Sequence, residues 1–168
     1  MKNFKLNEKD ILSNQDWTFP TTTYYGPGRF NEIAKFCEEF DIKNPLIVTD
    51  SGSKDLPFIK KLIALLSKNN IKSDLFYNIS PNPRDDEISK GCDQFKNGTH
   101  DPIIAIGGGS AMDGGKSICL TVNSETPLWD FEFEQPVPKI TKENAFPKII
   151  TVPTTAGTGA ETEITAMV

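Results

Sequence analysis

Apolar residues recur along this chain in two alternating rhythms: short unbroken runs, and stretches where they return every three or four positions. The segment WTFPTTTYY (17–25), rich in aromatic and β-branched residues and closed by Gly26-Pro27-Gly28, predicts a strand and a turn. Phe30, Ile33, Cys37 and Phe40 then fall on one face of a helix. Leu46-Ile47-Val48 is an uninterrupted apolar run ending at Thr49-Asp50-Ser51-Gly52, the pattern of a buried parallel strand with polar residues at its carboxyl end. Leu56, Ile59, Leu62, Ile63 and Leu66 mark the next helix, and residues 74–79 a weaker strand. Ser80-Pro81-Asn82-Pro83 stops that strand, because proline lacks a ladder donor and restricts the residue before it. Ile88, Cys92 and Phe95 give a third helix, and Pro102 to Ile106 a buried strand running into Gly107-Gly108-Gly109. A fourth helix carries Met112, Gly115, Ile118, Cys119 and Val122 on its apolar face. The stretch TPLWDFEFEQPVPK (126–139) belongs to a long connection, of the sort that is functional or forms a covering flap. Lys148 to Val152 is a last strand, leading into Pro153-Thr154-Thr155-Ala156-Gly157-Thr158-Gly159.

Strands and helices alternating at this spacing predict an α/β fold, a doubly wound and mostly parallel sheet covered on both faces. Ligands of such sheets bind beyond the carboxyl ends of the strands. The polar or glycine-rich segments at Asp50, Asn82, Gly107 to Ser110 and Thr154 to Gly159 all follow strand carboxyl ends, so one crevice can gather them.

The length of 168 residues suits a single domain, here read as residues 17–168 behind a polar arm of residues 1–16. A net charge of −5, spread along the chain, offers no basic stripe to a nucleic acid. No apolar run approaches the roughly 18 residues of a membrane span, and the start MKNFKLNEKD lacks the apolar core of a secretory signal. A cytoplasmic location is the expectation. Cys37, Cys92 and Cys119 are odd in number and far apart, and each sits on a helical apolar face, as small core residues do.

Gly107-Gly108-Gly109-Ser110 joins a buried strand to a helix. Three glycines let the backbone approach a ligand without Cβ obstruction, and the amides at the helix start favour anionic oxygens. A pyrophosphate seat is one reading. A tight turn with a capping box is the other, with Ser110 accepting from the Asp113 amide and Asp113 returning the bond. The dinucleotide pattern G-x-G-x-x-G fails because Met112 stands where its last glycine belongs. The P-loop pattern of triphosphatases nearly matches through Gly115-Lys116-Ser117, but its first glycine is replaced by Ser110. That shift carries Lys116 from the end of a loop into a helix.

Together, Asp50, the PNP turn at 81–83, GGGSAMDGGK at 107–116 and PTTAGTGAE at 153–161 resemble the iron-containing alcohol dehydrogenases in order and spacing, over nearly the whole chain from Trp17 onward. The dehydroquinate synthases and glycerol dehydrogenases share that fold and glycine turn, but PTTAGTGAE is more similar to the alcohol dehydrogenases. The resemblance implies that Gly107, Gly108, Gly109 and Ser110 bind a dinucleotide pyrophosphate, and that Asp50 meets the adenosine ribose. A carboxylate there would repel a 2′-phosphate, which favours NAD over NADP. Asp50 as the mere start of a turn with Ser51-Gly52 is the alternative. Asn82 matches an asparagine near the nicotinamide, and Thr154, Thr155 and Thr158 a threonine loop along the cofactor. Asp113 and Lys116 match the remaining polar positions of the glycine-turn helix, with a cap and a solvated helix residue as their competing readings. Ala111 departs from the proline common in the family, a stabilising but dispensable residue at a first helical turn.

The implied chemistry is hydride transfer between NAD and a small alcohol or aldehyde, assisted by a divalent metal, iron in the family's type. The resemblance places that metal on an aspartate and three histidines of a carboxyl-terminal helical domain absent from this sequence. His100, the sole histidine, precedes a strand and so lies at the far end from the proposed crevice. No metal ligand or catalytic residue is assigned to this chain, which is read as the nucleotide-binding part of a longer enzyme and is expected to be inactive alone. A non-catalytic nucleotide-binding module, or half of a split enzyme, is the alternative. A homodimer through edge strands is one expected assembly.

Overall fold

The computed structural model describes residues 15–17, 21–136, 138–139, 141, 145–163 and 165–168. Two short strands, β1 (Gln15–Trp17) and β2 (Thr23–Tyr25), pair antiparallel. The single strand expected over 17–25 is therefore two pieces with β1 beginning before Trp17, and residues 18–20 between them lie outside the described residues. A 3₁₀ turn (Arg29–Glu32) leads into α1 (Ile33–Glu39), whose Ile33 and Cys37 are buried as the periodicity required.

The main sheet contains β3 (Leu46–Asp50), β4 (Asp74–Ile79), β5 (Pro102–Gly107) and β6 (Lys148–Pro153), all parallel, in the order β4-β3-β5-β6. Helices α2 (Pro57–Lys68), α3 (Asp85–Asn97) and α4 (Gly109–Thr121) connect them. Because side chains of a strand alternate between faces, the sheet feeds two cores. Leu46, Val48, Ile103 and Ala105 join Ile88, Phe95, Met112 and Ile118 of α3 and α4. Ile47, Ile104 and Ile106 join Ile33, Cys37, Ile59, Leu62 and Leu66 of α1 and α2. Helices thus cover both faces, which is the doubly wound arrangement expected, and β5, flanked on both sides and on both faces, is buried throughout.

Helix α4 packs closely on β5. A Cβ built on Gly115 would stand 2.5 Å from the Ala105 Cβ, and Ala105 is fixed within a buried strand. Helix propensity favours alanine over glycine by about 1 kcal/mol, but a clash that the strand cannot relieve outweighs it. Gly115→Ala is expected to lower the unfolding free energy by about 1–2 kcal/mol net, measured by denaturant titration; an unchanged or raised midpoint would contradict this packing.

Candidate functional site at the carboxyl ends of the strands

The chain leaves β3 towards β4 on one side and leaves β5 towards β6 on the other, so β3 and β5 flank the topological switch point where open α/β sheets bind ligands. Their ladder runs through Val48↔Ala105, and one residue later the Thr49 hydroxyl donates to the Ile106 carbonyl at 2.7 Å. That side-chain bond holds the strand ends together under the crevice. On its rim, Asp50 receives the Ser53 hydroxyl at 2.7 Å, and Ser53 N–H donates to the Asp50 carbonyl. The turn reading of Asp50 is therefore realised, while a carboxylate with about four acceptor positions keeps room for a further donor.

The glycine turn fills the other side of the crevice. Gly107 has φ +150°, and a Cβ there would stand 2.6 Å from the Ala111 Cβ and 3.2 Å from Asp50 Oδ2. Side chains are excluded at this point. The Thr154 N–H donates to the Gly107 carbonyl at 2.8 Å, where β5 and β6 end in the pair Gly107↔Pro153. The threonine loop then folds over the glycines: a Cβ on Gly108 would lie 3.3 Å from Thr155 Oγ1, and one on Gly109 3.8 Å from Thr158. The first intrahelical bond of α4 runs from the Met112 amide to the Gly108 carbonyl. The amides of Gly109, Ser110 and Ala111 precede it and have no intrahelical acceptor, which is the kind of donor group that anions take at helix starts.

The expected capping box does not form. Helix α4 begins at Gly109 with Gly108 as its cap residue and no side-chain cap bond. Ser110 is consequently inside the first turn, and its hydroxyl accepts the Asn82 N–H at 3.4 Å. Asn82 has φ 57°, a left-handed conformation that asparagine tolerates better than most residues. This contact draws the PNP turn to the glycine turn.

The PNP turn has an anchor that motif reading missed. Glu87 is buried, and its carboxylate accepts the Ser80 N–H at 3.1 Å, the Ser80 hydroxyl at 3.0 Å and the Arg84 N–H at 3.2 Å. The Arg84 guanidinium lies 3.2 Å from its other oxygen. Burial works against the charge, but the donors from Ser80 and Arg84 outweigh it and hold this carboxyl below its ordinary range. The sequence signal was available: an acid three residues into a helix that follows a proline turn.

Asp113 and Lys116 are engaged with the segment that follows the threonine loop. Lys116 donates to the Glu163 and Thr165 carbonyls, both at 2.8 Å, so it is not a solvated helix residue. Burial pushes its pKa down, against the pull of Asp113, Glu163 and Glu161. Burial likewise raises the Asp113 pKa, opposed by Lys116 and by a hydrogen bond from the Met167 amide, with Glu163 adding to the rise. At about 1.5 Å of rise per residue, Lys116 lies about 10 Å along the helix from the glycine turn. The P-loop geometry of a triphosphatase is thereby excluded.

His100 is buried at the amino end of β5, with Nδ1 3.0 Å from the Asn44 carbonyl and Nε2 3.3 Å from Asp74. That is the end remote from the glycine turn. Cys37 and Cys119 are buried, Cys92 partly so. Burial, with Asp101 adding to it, raises the Cys37 thiol to about 11, and burial alone raises Cys119 to about 12, so both are uncharged core groups near neutral pH. In the long connection, Leu128 packs on the core and Trp129 donates to Asp85 at 3.3 Å. A groove of about 560 Å³ lies elsewhere, between β2, α1 and the open edge of β6, and contains none of the sequence-predicted site residues. Among the described residues, no group of three His, Cys, Asp or Glu side chains could hold a metal ion, and no helix is long and apolar enough to cross a membrane.

Comparison with known proteins identifies the family and agrees with the fold. The family model described as iron-containing alcohol dehydrogenase matches residues 20–168. The 1,3-propanediol dehydrogenase of Klebsiella pneumoniae is 30% identical over 148 residues, covering 87% of this chain and 37% of that protein. Among solved structures, 1,3-propanediol oxidoreductase superposes with a TM-score of 0.72 at 30% identity, over 81% of this chain and 34% of the other. The sulfoacetaldehyde reductase of Bifidobacterium kashiwanohense, solved in complex with NAD+, gives 0.70 at 28% identity, over 82% and 35%. The chain belongs to the iron-containing alcohol dehydrogenase family. It spans a little over a third of the length of these relatives.

The Glu87 anchor has a pH signature. A folded pKa below the unfolded value contributes stability that is complete above the ordinary carboxyl pKa of about 4.3 and is lost as pH falls through the folded value. Glu87→Gln is expected to cost about 1–3 kcal/mol near neutral pH, with the gap to the wild type closing in acid. Denaturant titrations at pH 7 and pH 3 check this; a gap unchanged in acid would contradict it.

Proposed function

We propose that this chain is the nucleotide-binding part of an NAD-linked alcohol dehydrogenase, with Gly107, Gly108, Gly109 and Ser110 seating the dinucleotide pyrophosphate. The observation that carries this reading is the start of α4 at the switch point, where the Gly109, Ser110 and Ala111 amides have no intrahelical acceptor and the threonine loop lies against Gly108 and Gly109. A tight turn alone requires one permissive residue, whereas close backbone approach to a ligand requires several in succession. Amides at the start of α4 supply donors and a partial positive charge for the phosphate oxygens.

Asp50, on the β3 side of the switch point, accepts hydrogen bonds from the adenosine ribose hydroxyls and disfavours a 2′-phosphate, which selects NAD over NADP. Asn82, brought beside Ser110 by the Glu87-anchored turn, lies at the nicotinamide end. Thr154, Thr155 and Thr158 close over the cofactor from the β6 side and shield the phosphates from water. When bound, the nicotinamide supplies a hydride carrier for interconverting an alcohol and an aldehyde. Residues 17–168 act as the dinucleotide-binding unit of the intact protein, and its small alcohol or aldehyde substrate is held mainly by parts beyond these residues. The family's iron belongs to this proposal for the intact protein alone, since the described residues do not fit it.

Calorimetric titration of the intact protein tests the reading. Wild type is expected to bind NADH at least about tenfold more tightly than NADPH, and Gly108→Val to lose at least about tenfold in NADH affinity, roughly 1.4 kcal/mol, while its circular dichroism stays native. Equal NADH affinity in a folded Gly108→Val protein would overturn the pyrophosphate seat.

A further inference from the structure

The threonine loop is a surface segment that crosses the glycine turn, and its usefulness depends on being held there before a ligand arrives. Its first end is fixed, because the Thr154 N–H donates to the Gly107 carbonyl. Its other end returns to the protein at Ala160, which is buried in the core against α4. Ala160 is small and gives limited purchase. A tight turn comes next, with the Thr162 and Glu163 amides both donating to the Gly159 carbonyl. Beyond that turn the chain has little sheet to lean on. The Thr151 hydroxyl reaches the Glu161 carbonyl at 3.2 Å, and Val168 packs on the edge of the core.

Lys116 supplies the missing hold. Its ammonium group has three donors, and two of them go to backbone carbonyls of this returning segment, Glu163 and Thr165. Both acceptors are main-chain atoms, so the contact fixes the path of the segment whatever its side chains do. Asp113, three residues earlier on α4, feels the ammonium's charge without an ion-pair contact and interacts with the Met167 amide. The glycine turn and the base of the threonine loop are thereby tied to one rigid helix.

We propose that Lys116 is a positioning residue: it clamps the backbone at Glu163 and Thr165 to α4 and so holds the Thr154–Thr158 loop in place over the glycine turn, without itself touching the dinucleotide. This rests on the reading of the loop as a cofactor contact. Charge-assisted bonds of this kind are among the stronger ones a protein makes, and a clamp made of two of them preorganises the segment it holds. Preorganisation of that sort shows itself as affinity, because a loop ordered in advance loses less entropy on binding.

The test compares Lys116→Met and Lys116→Arg with wild type in the intact protein. Hydrogen exchange without cofactor is followed at the amides of 154–158 and 163–167, beside NADH titration and the thermal midpoint. The clamp predicts exchange at least about tenfold faster in both segments of Lys116→Met, with slow exchange in β5 retained, and NADH affinity lower by about tenfold. Lys116→Arg, which keeps a charged donor, should recover much of both. A folded Lys116→Met protein with wild-type exchange in both segments overturns the clamp, and if its NADH affinity has nonetheless fallen, Lys116 is a direct ligand. A lysine serving general stability alone would lower the thermal midpoint without changing NADH affinity, which also overturns it. Should wild type bind no NADH at millimolar concentration, the cofactor reading fails while the exchange data still decide whether the clamp holds the loop. If Lys116→Met does not fold, Asp113→Asn, which removes the charge beside the ammonium, is expected to show the same loop-specific acceleration in weaker form, and unchanged exchange in it overturns the clamp.

Discussion

The architecture of the site depends on one pairing, the parallel ladder between β5 and β6 that runs without interruption to Gly107↔Pro153. Because the two strands end at the same level, the glycine turn and the threonine loop emerge side by side, and a single bond from the Thr154 amide to the Gly107 carbonyl locks their relation. A slip of one residue in that register would turn the alternating side chains of β6 to the wrong faces. It would also carry Thr155 and Thr158 away from the glycines they cover. The close approach of the threonine loop to Gly107 and Gly108 is correspondingly a property of two strands in register and of residues without side chains.

Much of this is legible in the order of residues alone. The unbroken run Pro102 to Ile106 could only be a strand buried on both faces, and all its residues are buried. The glycines after it and the threonines after β6 had to follow strand ends, and parallel pairing then had to bring them together. Other features depended on choices that sequence leaves open. The cap of α4 fell on Gly108, so Ser110 was free to bond the Asn82 amide, and nothing in a short S-x-x-D pattern distinguishes those outcomes. The strand expected over 17–25 broke in two, since β-branched and aromatic composition reports strand preference and not where the pairing stops.

Lys116 and Glu87 show the other limit of motif reading. Both are polar residues near a site, and their type suggests contact with a ligand. Glu87 instead spends its carboxylate on the Ser80 and Arg84 donors, and Lys116 reaches across to carbonyls about 50 positions later in the chain. Long-range acceptors on the main chain leave no trace in residue identity. Cys37, Cys119 and His100 carry the same lesson in reverse, since helical periodicity placed the two thiols in the core and the histidine's position ahead of a strand placed it at the remote end of β5.

The proposed function comes down to one physical claim: backbone amides at the start of α4, roofed by a threonine loop, are the seat of a doubly charged diphosphate. The most direct test is amide-resolved NMR of the intact protein during titration with NADH. The account predicts that the largest shift changes fall on residues 107–111 and 154–158, with Asp50 and Asn82 next. Saturable binding whose shift changes fall at the open edge of β6 and leave the glycine turn untouched would contradict it.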